Sequence, residues 1–156
     1  MSIGATSFVL NQDKHVDSHY LLNFIIKNNI TIIHFVPSML NAFLQEAAID
    51  NCQCLRQVYC SGEKLLSTHV EMFYSKLNAE LINLYGPTEA AIDVTYWYCP
   101  SKMKMTHVPI GKPLANIKIY VLDNYLQQIP IGAIGEIYIG GVAVARGYLN
   151  RPEQTA

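Results

Sequence analysis

The stretch Leu81-Ile82-Asn83-Leu84-Tyr85-Gly86-Pro87-Thr88-Glu89-Ala90-Ala91-Ile92 decides the fold. An apolar run ending at Leu84 reads as a buried strand. An aromatic, a Gly-Pro turn, a hydroxyl and a carboxylate follow it directly. In a parallel sheet, ligands bind in the crevice outside the carboxyl ends of the strands, so this junction is a candidate site. Tyr85 offers a ring face for a nucleobase. Gly86 lets the backbone approach a ligand. Pro87 suits the first turn of a short helix, whose free N–H groups attract phosphate. Thr88 can hydrogen-bond a phosphate oxygen, and Glu89 is a hard oxygen ligand suited to Mg2+. An ordinary strand-to-helix turn with a threonine cap is the competing reading.

Upstream of this junction, strands and helices alternate. Ala5 to Leu10 is a short apolar run. Asp17 or Ser18 can cap a helix bearing Tyr20, Leu21, Phe24 and Ile25, which stops at Asn28-Asn29. The β-branched run from Ile30 to Val36 reads as a buried strand, and Pro37-Ser38 opens a helix carrying Met39, Leu40, Phe43 and Leu44. Leu55 to Cys60 is the next strand. Ser67 caps a helix with Val70, Phe73, Tyr74 and Leu77 on one face, and Ala79 to Leu84 is the strand of the opening motif. Apolar strands between amphipathic helices predict an α/β unit with a mostly parallel sheet. After Pro100 the character changes. Ile117, Ile119 and Val121 alternate with Lys118, Tyr120 and Leu122, while Ile137 and Ile139 alternate with Glu136 and Tyr138. Gly and Pro punctuate the region, which predicts antiparallel strands in a barrel or small sheet. The division expected is therefore 1–100 for an α/β segment and 101–156 for an incomplete β-rich segment. Both edges read as cut from something larger.

Composition narrows the function. The chain has 156 residues, 51% hydrophobic and 15% charged, with a formal net charge of -1. That content supports a core and argues against disorder. Without a basic run, nucleic acid is a poor partner, because neutralising phosphates needs clustered Lys and Arg. No apolar run approaches the roughly 20 residues that span a bilayer, and Met1-Ser2-Ile3-Gly4 shows no leader pattern. The four cysteines, Cys52, Cys54, Cys60 and Cys99, lack paired Cys-x-x-Cys spacing. This disfavours a zinc site and suits a reduced, cytoplasmic protein. His15 and His19 straddle a helix start, which disfavours a shared metal.

The motif Asn83-Leu84-Tyr85-Gly86-Pro87-Thr88-Glu89 resembles the Asn-x-Tyr-Gly-Pro-Thr-Glu signature of adenylation (AMP-binding) domains in nonribosomal peptide synthetases. Gly135-Glu136-Ile137-Tyr138-Ile139-Gly140-Gly141, running to Val144-Ala145-Arg146-Gly147-Tyr148-Leu149, resembles the family's later signature. Val108-Pro109-Ile110-Gly111-Lys112-Pro113 matches the link between them. Ala143 departs from the usual Gly and puts only that turn in question. The resemblance covers essentially the whole chain. It implies the large N-terminal region of an adenylate-forming enzyme, and activation of an amino acid by ATP and Mg2+ as an aminoacyl adenylate. The acyl group then passes to the phosphopantetheine thiol of a carrier domain, with condensation domains as further partners. By the same resemblance, Tyr85 packs on the adenine, Asn83 contacts its edge, and the Ser61-Gly62-Glu63 turn lies against its other face. Gly86 belongs to this nucleotide set. Thr88 contacts the α-phosphate and Glu89 helps hold Mg2+.

The resemblance also places a substrate pocket on His34, Val58, Cys60, Leu84, Ile92 and Asp93, similar to the serine-activating pattern. That pattern more often has Ser at the position of Cys60. Val58, Leu84 and Ile92 would close a small cavity. His34 and Asp93 could pair, with Asp93 holding the imidazole tautomer so that the ring can bond a substrate hydroxyl. A buried polar site rejects a substrate that leaves it unpaired. The competing readings are a core histidine at 34 and a small buried hydrophobe at Cys60.

Two other functions remain open at this point. One is another adenylate-forming acyl- or aryl-CoA ligase, whose tyrosine motif usually differs. The other is a non-catalytic nucleotide-binding or interaction module. By the family pattern, the phosphate loop lies before Met1, and the ribose-binding Asp and catalytic Lys lie after Ala156. The 156 residues alone are therefore expected to be inactive.

Overall fold

The computed structural model describes residues 4–10, 14–102 and 106–155. Met1-Ser2-Ile3, where a leader was sought, lie outside the described residues. The elements run α1 (Ser18–Asn28), β1 (Ile32–Phe35), α2 (Pro37–Leu44), β2 (Gln57–Cys60), α3 (Ser67–Lys76), β3 (Glu80–Tyr85), β4 (Thr95–Cys99), β5 (Lys112–Pro113), β6 (Ile117–Leu122), β7 (Glu136–Gly141) and α4 (Pro152–Thr155). The predicted strand and helix order holds from α1 to β3. Ala5 to Leu10 forms no strand; its Phe8 ring meets Phe24 edge-on at 6.1 Å.

Local chemistry sets the helix ends. Asp17 caps α1 by accepting from the Tyr20 N–H at 2.9 Å, and Asn29 ends the helix in the left-handed region at φ 50°. Pro37 stands at the start of α2, where its missing N–H is harmless. Ser67 does not cap α3 as expected. Leu66 occupies the cap position and Ser67 is the first helical residue.

β1, β2 and β3 pair in parallel, and β4 and β5 add to β3 antiparallel, giving the order β1-β2-β3-β4-β5. The sheet is thus α/β and mixed, parallel where α2 and α3 supply the crossovers. β6 and β7 form a separate antiparallel two-stranded sheet, the β-rich segment expected after the α/β unit.

Alternation along the strands separates two faces. Phe35, Val58, Cys60 and Leu81, with the partly buried Ile33 against them, form the main core with Leu22 and Ile25 of α1, Phe43 of α2 and Phe73 of α3. Phe43 and Phe73 are fully buried, each contributing about 1.5–3 kcal/mol through burial. His34 and Tyr59 are paired across β1 and β2, so they share the opposite face. A second small core of Ala90, Val94 and Ile117, with Tyr85, Ile119 and Ile139 against it, ties the β6–β7 sheet to the segment after β3.

Candidate functional site: a cleft beside a histidine–serine–aspartate group

The chain must reverse between β3 and the antiparallel β4, and it does so tightly. Val94 N–H bonds Tyr85 O at 2.7 Å, and Ala90 N–H bonds Pro87 O at 3.1 Å. The loop folds directly over Gly86. A Cβ there would stand 2.0 Å from Ile92 O and 2.7 Å from Asp93 Cα, so only glycine fits. Ile92 takes φ 63°, a genuine outlier for a β-branched residue. The expected short helix at Pro87 is absent; residues 88 and 89 form a turn. A helix would carry the chain away from the sheet, whereas β4 has to return alongside β3. Any phosphate contact here therefore comes from side chains and turn N–H groups rather than from a helix end.

The turn is clasped by the second signature. Ala91 N–H bonds Ala143 O and Ala145 N–H bonds Glu89 O, both at 2.8 Å. Tyr148 donates its hydroxyl to Glu89 Oε1 at 2.9 Å, and this bond is the main reason the phenol's pKa is raised. Ala143, the departure from the family's glycine, is accommodated in this clasp. Thr88 and Glu89 are exposed at its tip.

A cleft of about 350 Å³ opens beside this loop, lined by Gly62, Glu63, Asn83, Leu84, Tyr85 and Gly86 and walled by Val108 and Ile110. Its size is at the lower end of small-ligand sites. Asn83 is buried and donates from Nδ2 to Pro109 O at 2.8 Å, anchoring the wall. The Glu63 carboxylate accepts from the backbone N–H and hydroxyl of Ser38, at 3.0 and 3.1 Å, so it secures the start of α2. A larger apolar cavity of about 750 Å³ lies beyond β1 and includes none of these residues.

Ser61 is absent from the cleft lining and turns to His34 instead, with Oγ 2.8 Å from Nε2. Asp93 completes the group. Burial raises its pKa, against the lowering effects of the neighbouring His34 and Ser61. The structure brings His34, Ser61 and Asp93 together, with Leu84 on the same face of the sheet through the Tyr59–Ile82 pairing. It does not bring Val58 or Cys60 there. Both are fully buried on the helix-covered face, and burial, then the nearby Cys99, pushes the Cys60 thiol up to about 12. The physical reason is strand alternation, because a shift of one residue moves a side chain to the other face. Tyr59 and Ser61, one position along from Val58 and Cys60, are the residues on the His34 side. Period-two patterning referred to His34 was the signal that could have found them. Ile92 is 80% exposed and closes no cavity among the described residues.

Among the described residues, no group of three or more His, Cys, Asp or Glu side chains could hold a metal, and no helix is long and apolar enough to cross a membrane. His19 turns toward Glu46, with Nδ1 3.4 Å from Oε2. The cysteines are free thiols.

The family model of AMP-binding enzymes matches residues 1–149. The chain is 46% identical, over its whole length, to phosphinothricin tripeptide synthetase PhsB of Streptomyces viridochromogenes, and spans 13% of it. Zwittermicin A synthase ZmaJ of Bacillus cereus is 49% identical over 83% of the chain, which spans 26% of that protein. A solved four-domain nonribosomal peptide synthetase bound to AMP and glycine superposes with a TM-score of 0.83 at 29% identity, over 95% of this chain and 11% of that one. The chain thus spans a small part of the relatives it matches. With the motifs, the fold and the cleft in agreement, it belongs to the AMP-binding enzymes, as an adenylation-domain segment of the nonribosomal peptide synthetase kind.

Proposed function

We propose that this segment supplies the amino-acid pocket and one side of the nucleotide site of an enzyme that activates L-serine with ATP. The observation that carries the serine reading is the His34 Nε2–Ser61 Oγ bond of 2.8 Å, with Asp93 beside it and Leu84 leading from it to the cleft. A hydroxyl-bearing side chain can pair with the imidazole, which is exposed in this segment, whereas alanine offers it no partner. Rejection of threonine rests on size.

In this reading Tyr85 and Asn83 hold the base, with the Gly62–Glu63 turn opposite. The base then lies beside Leu84, so one loop positions both reactants. The serine carboxylate attacks the α-phosphorus of ATP, the bond to the pyrophosphate oxygen breaks, and seryl-AMP and pyrophosphate result. Thr88 donates to an α-phosphate oxygen and steadies charge that develops there. Glu89 is a single exposed carboxylate held at one oxygen by Tyr148. That fits Mg2+, which usually takes one or two carboxylates plus substrate phosphates. When bound, Mg2+ supplies charge neutralisation on the phosphates. The seryl group then goes to the phosphopantetheine thiol of a carrier domain, and condensation domains use it. Amino-acid-dependent ATP–pyrophosphate exchange in a complete domain carrying this segment tests the assignment. Serine is expected to give the highest rate; a higher rate with alanine or a large apolar amino acid refutes it.

A further inference from the structure

Helix α2 begins where its own sequence offers no cap. Val36 stands at the cap position and makes no side-chain bond there, and Pro37 has no N–H to satisfy. The first free donor of the helix is therefore the N–H of Ser38. Glu63 supplies the acceptor from 25 residues along the chain. Its Oε2 accepts from the Ser38 N–H at 3.0 Å and its Oε1 from the Ser38 hydroxyl at 3.1 Å. The helix dipole also favours a carboxylate at this end. Three further contacts join the same two segments. Ser61 N–H bonds Phe35 O at 3.2 Å, and Ser61 Oγ lies 2.8 Å from His34 Nε2. Gly62, at φ 84°, packs beside Val36: a Cβ added to it would stand 3.4 Å from Val36 Cγ1. The turn 61–63, which forms one wall of the cleft through Gly62 and Glu63, is thus fastened at several points to residues 34–38.

We infer that Glu63 is a positioning residue for ATP: it sets the cleft wall in place by binding Ser38, and it acts on the nucleotide through that bond rather than by touching it. The inference rests on the nucleotide reading of the cleft, but not on the serine reading. Both carboxylate oxygens are engaged by the first turn of α2, which turns the group toward the helix. The opposite wall is anchored separately, by Asn83 Nδ2 on Pro109 O at 2.8 Å. A loosened 61–63 turn therefore loses its place relative to a wall that stays fixed. The base occupies the cleft in the ground state and the transition state alike, so the loss falls on the KM for ATP and leaves kcat unchanged. A role in folding alone would do the reverse, lowering the active fraction at constant KM.

The test is ATP–pyrophosphate exchange in a complete adenylation domain containing this segment, run with whichever amino acid that domain activates best. Glu63→Ala is expected to raise the KM for ATP by about three- to tenfold, the equivalent of roughly one net hydrogen bond, with kcat unchanged. Ser38→Ala removes one of the two bonds and should raise the same KM by a smaller factor. The double variant should be no worse than Glu63→Ala alone, because both changes break one interaction. Glu63→Gln keeps an acceptor for the Ser38 N–H and should recover most of the loss. A raised KM in Glu63→Ala with no change in Ser38→Ala, or additive effects in the double variant, would mean that Glu63 meets the nucleotide itself, and overturns the inference. A fall in kcat at constant KM, or a loss in Glu63→Gln equal to that in Glu63→Ala, overturns it as well. Tyr85→Ala separates the two levels of failure. If it leaves the KM for ATP unchanged, the nucleotide reading of the cleft falls and the inference with it; if it raises that KM while Glu63→Ala does not, only the inference falls.

Discussion

Gly86→Ala probes whether the proposed nucleotide turn and the proposed amino-acid pocket are mechanically one unit. The added Cβ would lie 2.0 Å from Ile92 O and 2.7 Å from Asp93 Cα. Real Cβ contacts essentially never fall below 3.0 Å, so the 92–93 backbone must retreat by about 1 Å, because no flexible side-chain end is available to yield. Overpacking of this kind costs typically about 1–3 kcal/mol. Ile92 already sits at φ 63°, which leaves the loop little freedom to adjust. The same retreat moves Asp93, which lies near His34 and Ser61. A misplacement of about 1 Å can reduce turnover on the order of a hundredfold. The assay is ATP–pyrophosphate exchange with separate titrations of serine and ATP, alongside thermal unfolding of a complete domain. Loss for both substrates, with a folded protein, is expected. Unchanged KM for serine and unchanged turnover would show that the loop does not couple the two sites.

Further expectations concern the neighbouring residues. Cys60→Ala should destabilise the domain by on the order of 1–2 kcal/mol through the core cavity while leaving the serine-over-alanine preference intact; a changed preference would return Cys60 to the pocket. Asn83→Leu removes the 2.8 Å bond to Pro109 O and should cost about 1–3 kcal/mol for the unsatisfied carbonyl. It should also raise the KM for ATP, and normal values for both would contradict the anchoring role. Alkali offers a thiol test. The Cys60 thiol ionises near 9.0 when unfolded and near 12 when folded, so above pH 9 only the unfolded state releases the proton. Stability should then fall by about 1.4 kcal/mol per pH unit from this group, and denaturant melts at pH 8 and 10.5 should show a smaller loss in Cys60→Ala. Tyr148→Phe should change melting little, because its bond to Glu89 is exposed, but should raise the Mg2+ needed for half-maximal exchange.

Much of the architecture was legible because its signals are local. Asp17 before an apolar 3.6-residue pattern gave α1 and its cap, Pro37 gave the start of α2, and a β-branched run gave β1, with shorter runs for β2 and β3. What was not legible depended on tertiary pairing. Nothing local says that β4 returns antiparallel, and that return is why the chain after Pro87 forms a turn rather than a helix. Leu66 displaces Ser67 from the cap of α3 because the chain enters the helix one residue earlier than the serine suggests. The site shows the sharpest limit. Matching a pattern along β2 put Val58 and Cys60 in the pocket, one residue out of register. In a strand that single residue exchanges the helix-covered core for the face that carries His34. The resemblance put Ser61, with Gly62 and Glu63, against the base, and its hydroxyl lies against His34. That Asn83 and Tyr85 share one cleft lining could be expected because the motif is contiguous and its loop is short.

Calorimetric titration with seryl- and alanyl-sulfamoyl adenosine, inert mimics of the two aminoacyl adenylates, reads both halves of the site at once. If one loop joins the nucleotide cleft to a hydroxyl-recognising pocket, both mimics bind through the shared nucleoside and the seryl form binds about tenfold or more tightly. That advantage should disappear in His34→Leu. Equal affinity of the two mimics in the unaltered domain would contradict the account at its centre.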